Sequence, residues 1–190
     1  MDKREIMRRH YASTLMELCE TRSLRDITVG DLIEAAGTAR QTFYNHFADI
    51  NDLICYAGSL PMMTSRGPFT DAEATRRVYE GALQHRAFFR QLPAQSGQNN
   101  FRAATLSWLL DTYRARFVEG EPGLDEEERA FREACLTLYC TGSVAAFMDW
   151  CASDMAAPVS ALVRAVYEMS PPFVKDELAR LPEQLADYPR

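Results

Sequence analysis

Residues 28–47 read TVGDLIEAAGTARQTFYNHF, and this stretch decides the fold. Thr28 stands before Val29 with Asp31 three residues on, a helix cap followed by an acid in the first turn. Ala36-Gly37 stops that helix, since glycine accepts the left-handed backbone with which helices end. Beyond it Ala39, Phe43 and Phe47 recur one helical turn apart, which leaves Thr38, Arg40, Gln41, Tyr44 and Asn45 off the buried stripe. The pattern predicts a helix, a tight turn and a second short helix with a polar face. Arg40 and Gln41 carry long donor-bearing side chains that can reach base edges in a major groove. Tyr44 and His46 can donate to phosphate oxygens. An ordinary helical hairpin with a solvated polar face would show the same spacing.

The order Thr-Val, an amphipathic helix, Ala-Gly and then Thr42-Phe43-Tyr44-Asn45-His46-Phe47 resembles the DNA-binding signature of TetR-family transcription factors. The resemblance covers roughly the first quarter of the chain. It implies an all-α protein with an N-terminal three-helix helix-turn-helix head and a helical-bundle body for ligand binding and dimerisation. It also implies a homodimer on a palindromic site in double-stranded DNA, with Thr28, Thr38, Arg40, Gln41, Tyr44, Asn45 and His46 at the interface. The chain departs from the pattern at Ser23, where a glycine is usual, and at Ile50, where a lysine usually touches phosphate. It departs again at Ala39, where a serine often caps the recognition helix, so Thr38 is expected to cap it one residue early.

The bulk composition agrees with a folded protein. The chain has 190 residues, 47% of them hydrophobic and 25% charged, enough for one large domain or two small ones. No apolar run approaches the ~20 residues of a membrane span. The N-terminal MDKREIMRRH is too charged for a signal peptide. A cytoplasmic protein without a membrane partner is expected. The net charge of −6 does not exclude DNA, because a contact surface is local. Residues 1–60 carry seven Lys/Arg and nine Asp/Glu, yet Lys3, Arg4, Arg8, Arg9 and His10 crowd the first helix start. The five cysteines Cys19, Cys55, Cys135, Cys140 and Cys151 form no Cys-x-x-Cys pair and have no histidine at ligand spacing. They read as reduced, buried thiols, with redox sensing by Cys135, Cys140 and Cys151 as the minor alternative.

Along the rest of the chain the periodicity predicts helices throughout. The first runs over about 3–21 with Ile6, Tyr11, Leu15, Leu18 and Cys19 inward. Asp49 caps a fourth helix that links head to body. Pro61, Gly67 and Pro68 punctuate the connection after it. The expected organisation is a DNA-binding domain at 1–48, a linking helix at 49–66 and a regulatory and dimerisation domain at 67–190. In the body, helices are expected from Thr70 or Asp71 to about Leu92, over 101–118, over 126–152 and from Pro158 to Met169, with a short helix at 173–181. His85 is read as a mid-helix residue.

The pair of helices over 126–169 is similar to the C-terminal part of a TetR subgroup related to the dihydroxyacetone kinase operon activator. A Tyr-x-x-Gly, a later Trp and a Pro-started last helix recur there in order, though Ala157 stands where a serine often precedes the proline. Two adjacent apolar stripes on this pair predict a two-fold dimer through Leu138, Gly142, Ala145, Ala146, Leu162, Val163 and Val166. The aromatic supply of the body, with its hydroxyl and indole donors, predicts an effector pocket near Tyr79, Phe89, Trp108, Tyr113 and Tyr139. A small apolar or mixed effector is expected, and the absence of a charge cluster in an apolar stripe argues against a strongly charged one. No catalytic constellation, phosphate loop or dinucleotide fingerprint is present, so no enzyme, cofactor or metal is expected. A helical small-molecule-binding protein without DNA function is the alternative. It accounts for the aromatic body but not for the donor-rich face of residues 38–45. The sense of control, repression or activation, stays open.

Overall fold

Thr28 and Asp31 close the capping box that the sequence announces. The Asp31 amide donates to the Thr28 hydroxyl at 3.2 Å, and the Asp31 carboxylate accepts from the Thr28 amide at 2.7 Å. The helix they start, α2 (Val29–Ala35), ends at Gly37, whose φ of +63° is the left-handed turn foreseen there. The computed structural model describes residues 2–63, 72–97 and 100–180, the side chains of 177–180 excepted. Within these, the head is α1 (Lys3–Leu18), α2 and the short helix α3 (Arg40–Tyr44). Then follow α4 (Ile50–Met63), α5 (Ala72–Gln84), α6 (Arg86–Phe89), α7 (Phe101–Arg114), α8 (Glu126–Ala152), α9 (Val159–Glu168) and α10 (Pro172–Arg180). No strand occurs among the described residues. Gly67, Pro68, Thr70 and Asp71, expected at the connection and at the cap of α5, lie outside them.

The head closes on three rings. Tyr11 of α1 meets Phe43 edge-on at 5.4 Å and Phe47 at 6.1 Å, all three almost fully buried. Each buried phenylalanine is worth ~2 kcal/mol or more. The buried register of α1 is Tyr11, Ala12, Leu15, Met16 and Cys19. That register leaves Ile6, expected inward, 49% exposed. The Arg8 guanidinium lies over both the Phe47 and Tyr56 rings, 4.4 and 4.3 Å from their centroids, the rings themselves meeting at 5.6 Å, and donates to the His46 carbonyl at 2.7 Å. Thus α4 closes the head as much as it leads away from it. Pro61, read as part of a break, sits inside α4, buried. It packs so closely on α5 that a Cβ at Gly81 would lie 2.9 Å from the proline Cβ.

The expected single helix up to Leu92 breaks at His85 (φ −121°, ψ 42°), so His85 is a corner and not a mid-helix residue. The break re-aims α6 so that both Phe88 and Phe89 are fully buried. Arg86 and Arg90 of this segment each reach a carboxylate oxygen of Asp154 at 2.7 Å. Asp154 and Met155 form the turn after α8 with φ of 60° and 51°, left-handed positions that Asp tolerates better than Met. A short 3₁₀ turn, Leu92–Ala94, follows α6. Helix α7 stops at Arg114, earlier than expected, and a π-helical turn carries the chain on to Glu119. Helix α8 has the bounds read from the sequence, with Asp125 capping it through the Glu128 amide at 2.8 Å.

Candidate nucleic-acid interface and internal cavity

Helix α3 presents four of the expected DNA residues on one exposed face: Arg40, Gln41, Tyr44 and Asn45. They pair along the helix. The Arg40 guanidinium donates to the Tyr44 hydroxyl at 3.3 Å and lies 5.6 Å from that ring. The Gln41 amide donates to the Asn45 side-chain oxygen at 3.0 Å. Such i,i+4 pairs hold the side chains in register while leaving most guanidinium N–H groups free for an external acceptor. Tyr44 is fixed from below by an edge contact with Phe43 at 5.3 Å.

The other three expected contacts are placed differently. The Thr28 hydroxyl donates to Asp31 and accepts from its amide, so its hydrogen is committed within the cap. Thr38 does not cap α3. Its hydroxyl bonds the Tyr11 hydroxyl at 2.6 Å, and the N-cap position is Ala39, which offers no side-chain bond. His46 is half-buried and its Nδ1 has no partner among the described residues. Thr28 and Thr38 therefore brace the turn between α2 and α3.

The basic N-terminus is also partly committed. Arg9 pairs with Glu5 at 2.8 Å, and the Nε2 of His10 lies 3.1 Å from the Ala36 carbonyl. With Arg8 held over the Phe47 and Tyr56 rings, Lys3 and Arg4 are the exposed cations of the first turn of α1. At the end of α1, Arg22 reaches Asp31 at 2.7 Å and the Asp26 carbonyl at 2.9 Å. Hydrogen bonds from Arg22 and then Thr28 hold the Asp31 carboxyl far below the usual carboxylate range.

A joint that sequence reasoning missed ties head to body. The Gln91 side-chain oxygen accepts from the Leu24 amide at 2.6 Å, and its nitrogen donates to the Ala87 carbonyl at 2.9 Å. Arg25 donates to the Ala94 carbonyl at 2.8 Å. Gln91 reads as one more polar position of the helix expected up to Leu92 and Arg25 as part of a connection, so neither gave a signal for it.

In the body, α5, α7 and α8, with Met62 of α4 and Val166 of α9, line a partly open cavity of ≈ 90 Å³. Tyr79, Tyr113 and Tyr139 line it, as the sequence led one to expect, together with Thr75, Thr105 and Ser143. Two expected residues do not. Phe89 is buried in the core beside Phe88 and Phe147. Trp108 is 42% exposed, because Thr105, Leu109 and Tyr113 take the inward register of α7 and Trp108 falls on its outer side. Burial pushes the Tyr79 hydroxyl up to about 12 and raises Tyr113 and Tyr139 also, so all three are neutral at pH 7. The Cys140 and Cys151 thiols are likewise pushed up to about 12 by burial, unlike a reactive thiolate. Among the described residues no group of three or more His, Cys, Asp or Glu is placed to hold a metal ion, and no helix is long and apolar enough to cross a membrane.

The outer face of α8 and α9 is apolar and open. Leu138 is 76% exposed, Phe131 54% and Met169 75%. Gly142 and Ala146 lie on the same exposed face, and a Cβ at Gly142 would meet nothing within 4 Å. Ala145, Leu162 and Val166 are half-buried. Val163, expected at the dimer surface, is 3% exposed and belongs to the protomer's own core.

No family model matches the chain, and no curated protein does. Among solved structures it is similar to one described as the dihydroxyacetone kinase operon activator DhaS, with a TM-score of 0.61 at 14% identity, over 92% of this chain and 97% of that one. The all-helical, TetR-like fold implied by the head motif is therefore the fold observed, shared with that regulator along nearly its whole length.

Proposed function

We propose that the protein is a TetR-family transcriptional regulator, akin to the activator-related subgroup, that binds a palindromic operator as a homodimer and answers to a small molecule. It does no catalysis, and it works in the cytoplasm. The observation that carries this reading is the α3 face, where Arg40, Gln41, Tyr44 and Asn45 are exposed and paired on a helix anchored by the buried Phe43. A solvated helix has no need of a three-ring anchor beneath five residues of backbone. Arg40 and Gln41 address bases, while Tyr44, Asn45 and His46 address the backbone. In this reading residues 1–48 read DNA, α4 links, and the helices beyond it regulate and dimerise through α8 and α9. A gel shift with the DNA upstream of the protein's own gene tests it. A retarded band that survives nonspecific competitor and fades as salt rises is expected. Equal displacement by any competitor sequence would refute it.

A further inference from the structure

The cavity holds a polar group that the fold leaves over. Tyr79 is 3% exposed, with its ring edge-on to Phe147 and Trp150 at 5.4 and 5.0 Å. It lines the cavity, and among the described residues its hydroxyl has no hydrogen-bond partner. Its neighbours differ. The Tyr139 hydroxyl lies 3.1 Å from the Ser170 hydroxyl, and Tyr113 hydrogen-bonds to Tyr139. Buried hydroxyls are normally paired, so an unpaired one facing a void invites an external acceptor. The rest of the wall is mostly hydrocarbon, with Val78, Leu109, Val144, Phe147 and Met148 prominent, and no carboxylate, amine or guanidinium lines it.

We propose that this cavity takes one small uncharged carbonyl compound, a ketone or ester of about four to six non-hydrogen atoms, whose oxygen accepts a hydrogen bond from Tyr79. The volume of ≈ 90 Å³ sets the size, since cavities somewhat larger accept benzene. A carboxylate or an amine would be desolvated without a counter-charge. A polyol would bury several hydroxyls against carbon. A hydrocarbon would leave Tyr79 unpaired. A carbonyl oxygen accepts without donating, which is what a single free phenol requires.

This inference names the effector class of the regulator proposed above and rests on that reading for its purpose, but its test needs no DNA. Cyclopentanone, methylenecyclopentane and butyrate are titrated into the full-length chain by saturation-transfer NMR with competition. Wild type is expected to bind cyclopentanone saturably, about three- to tenfold more tightly than the hydrocarbon, as one hydrogen bond provides, and to ignore butyrate. Tyr79→Phe should keep the hydrocarbon and lose the preference. Val144→Phe, checked for helix content by circular dichroism, should fill the space and bind neither. Absence of cyclopentanone binding, a preference that survives in Tyr79→Phe, or butyrate binding as well as the ketone would each overturn the site. Ketone binding with a failed gel shift would leave the site standing and sink the regulator reading. The reverse pattern would sink the site alone.

Discussion

In the proposed reading Arg40 and Gln41 address the bases, and each is steadied by the residue four positions on. Replacing either with alanine is expected to weaken the cognate operator by about 1–3 kcal/mol and to relax preference at one base position. Fluorescence anisotropy on a set of single-base operator variants measures both effects. A uniform loss across all variants would move the residue from bases to phosphates. At this scale the sequence was legible where a side chain acts through its place in a motif, as in the cap of Thr28 with Asp31 and the turn at Gly37. It was not legible where partners lie far along the chain. Arg8 reads as one more cation for DNA, yet it donates to the His46 carbonyl and lies over the rings of Phe47 and Tyr56. Thr38 reads as a cap, but Tyr11, 27 positions earlier, takes its hydroxyl.

Helix α6, with the turn that follows it, adds a second joint between head and body beside α4. On one side Arg86 and Arg90 grip Asp154, at the turn between α8 and α9. On the other, Gln91 holds the Leu24 amide. Gln91→Ala leaves that buried-side amide without its acceptor, and a loss of about 1–3 kcal/mol in stability is expected. Urea midpoints read the loss, and faster hydrogen exchange at the Leu24 amide localises it. An unchanged exchange rate there would show that the joint carries no strain between the two halves. The corner at His85 that creates α6 has no sequence cue, because the apolar periodicity continues through it. What turns the chain is tertiary: two adjacent phenylalanines must both be buried, and two arginines must reach one carboxylate. Helices α2 and α8, by contrast, carry their own caps and their own stops, and their bounds were read correctly from sequence.

For the whole molecule, the exposed apolar face of α8 and α9 is the feature that one protomer does not account for. Static light scattering at micromolar concentration is expected to give the mass of a dimer for the wild type, and a monomer mass would rule the assembly out. Gly142→Leu separates association from folding, since nothing in the protomer lies within 4 Å of a Cβ there. The variant is expected to keep its helical signal while its mass falls to that of one chain. The helical character of the body and the stripe carrying Leu138, Gly142 and Ala146 were legible from periodicity, while the division into head and body came from the resemblance of the head motif. That Val163 faces inward was not, because two helices packed side by side share one apolar period and only their packing assigns each residue to a side. The same packing limits what can be exchanged between proteins of this kind. Arg8 from α1 rests on Phe47 and on Tyr56 of α4, and the buried side chains run from the head through α4 into the body as a single cluster. A chimera that grafted residues 1–48 onto another body would separate Tyr56 from Arg8 and Phe47. The smallest transplantable head therefore carries α4 with it, and a faithful one carries the acceptor for Leu24 as well.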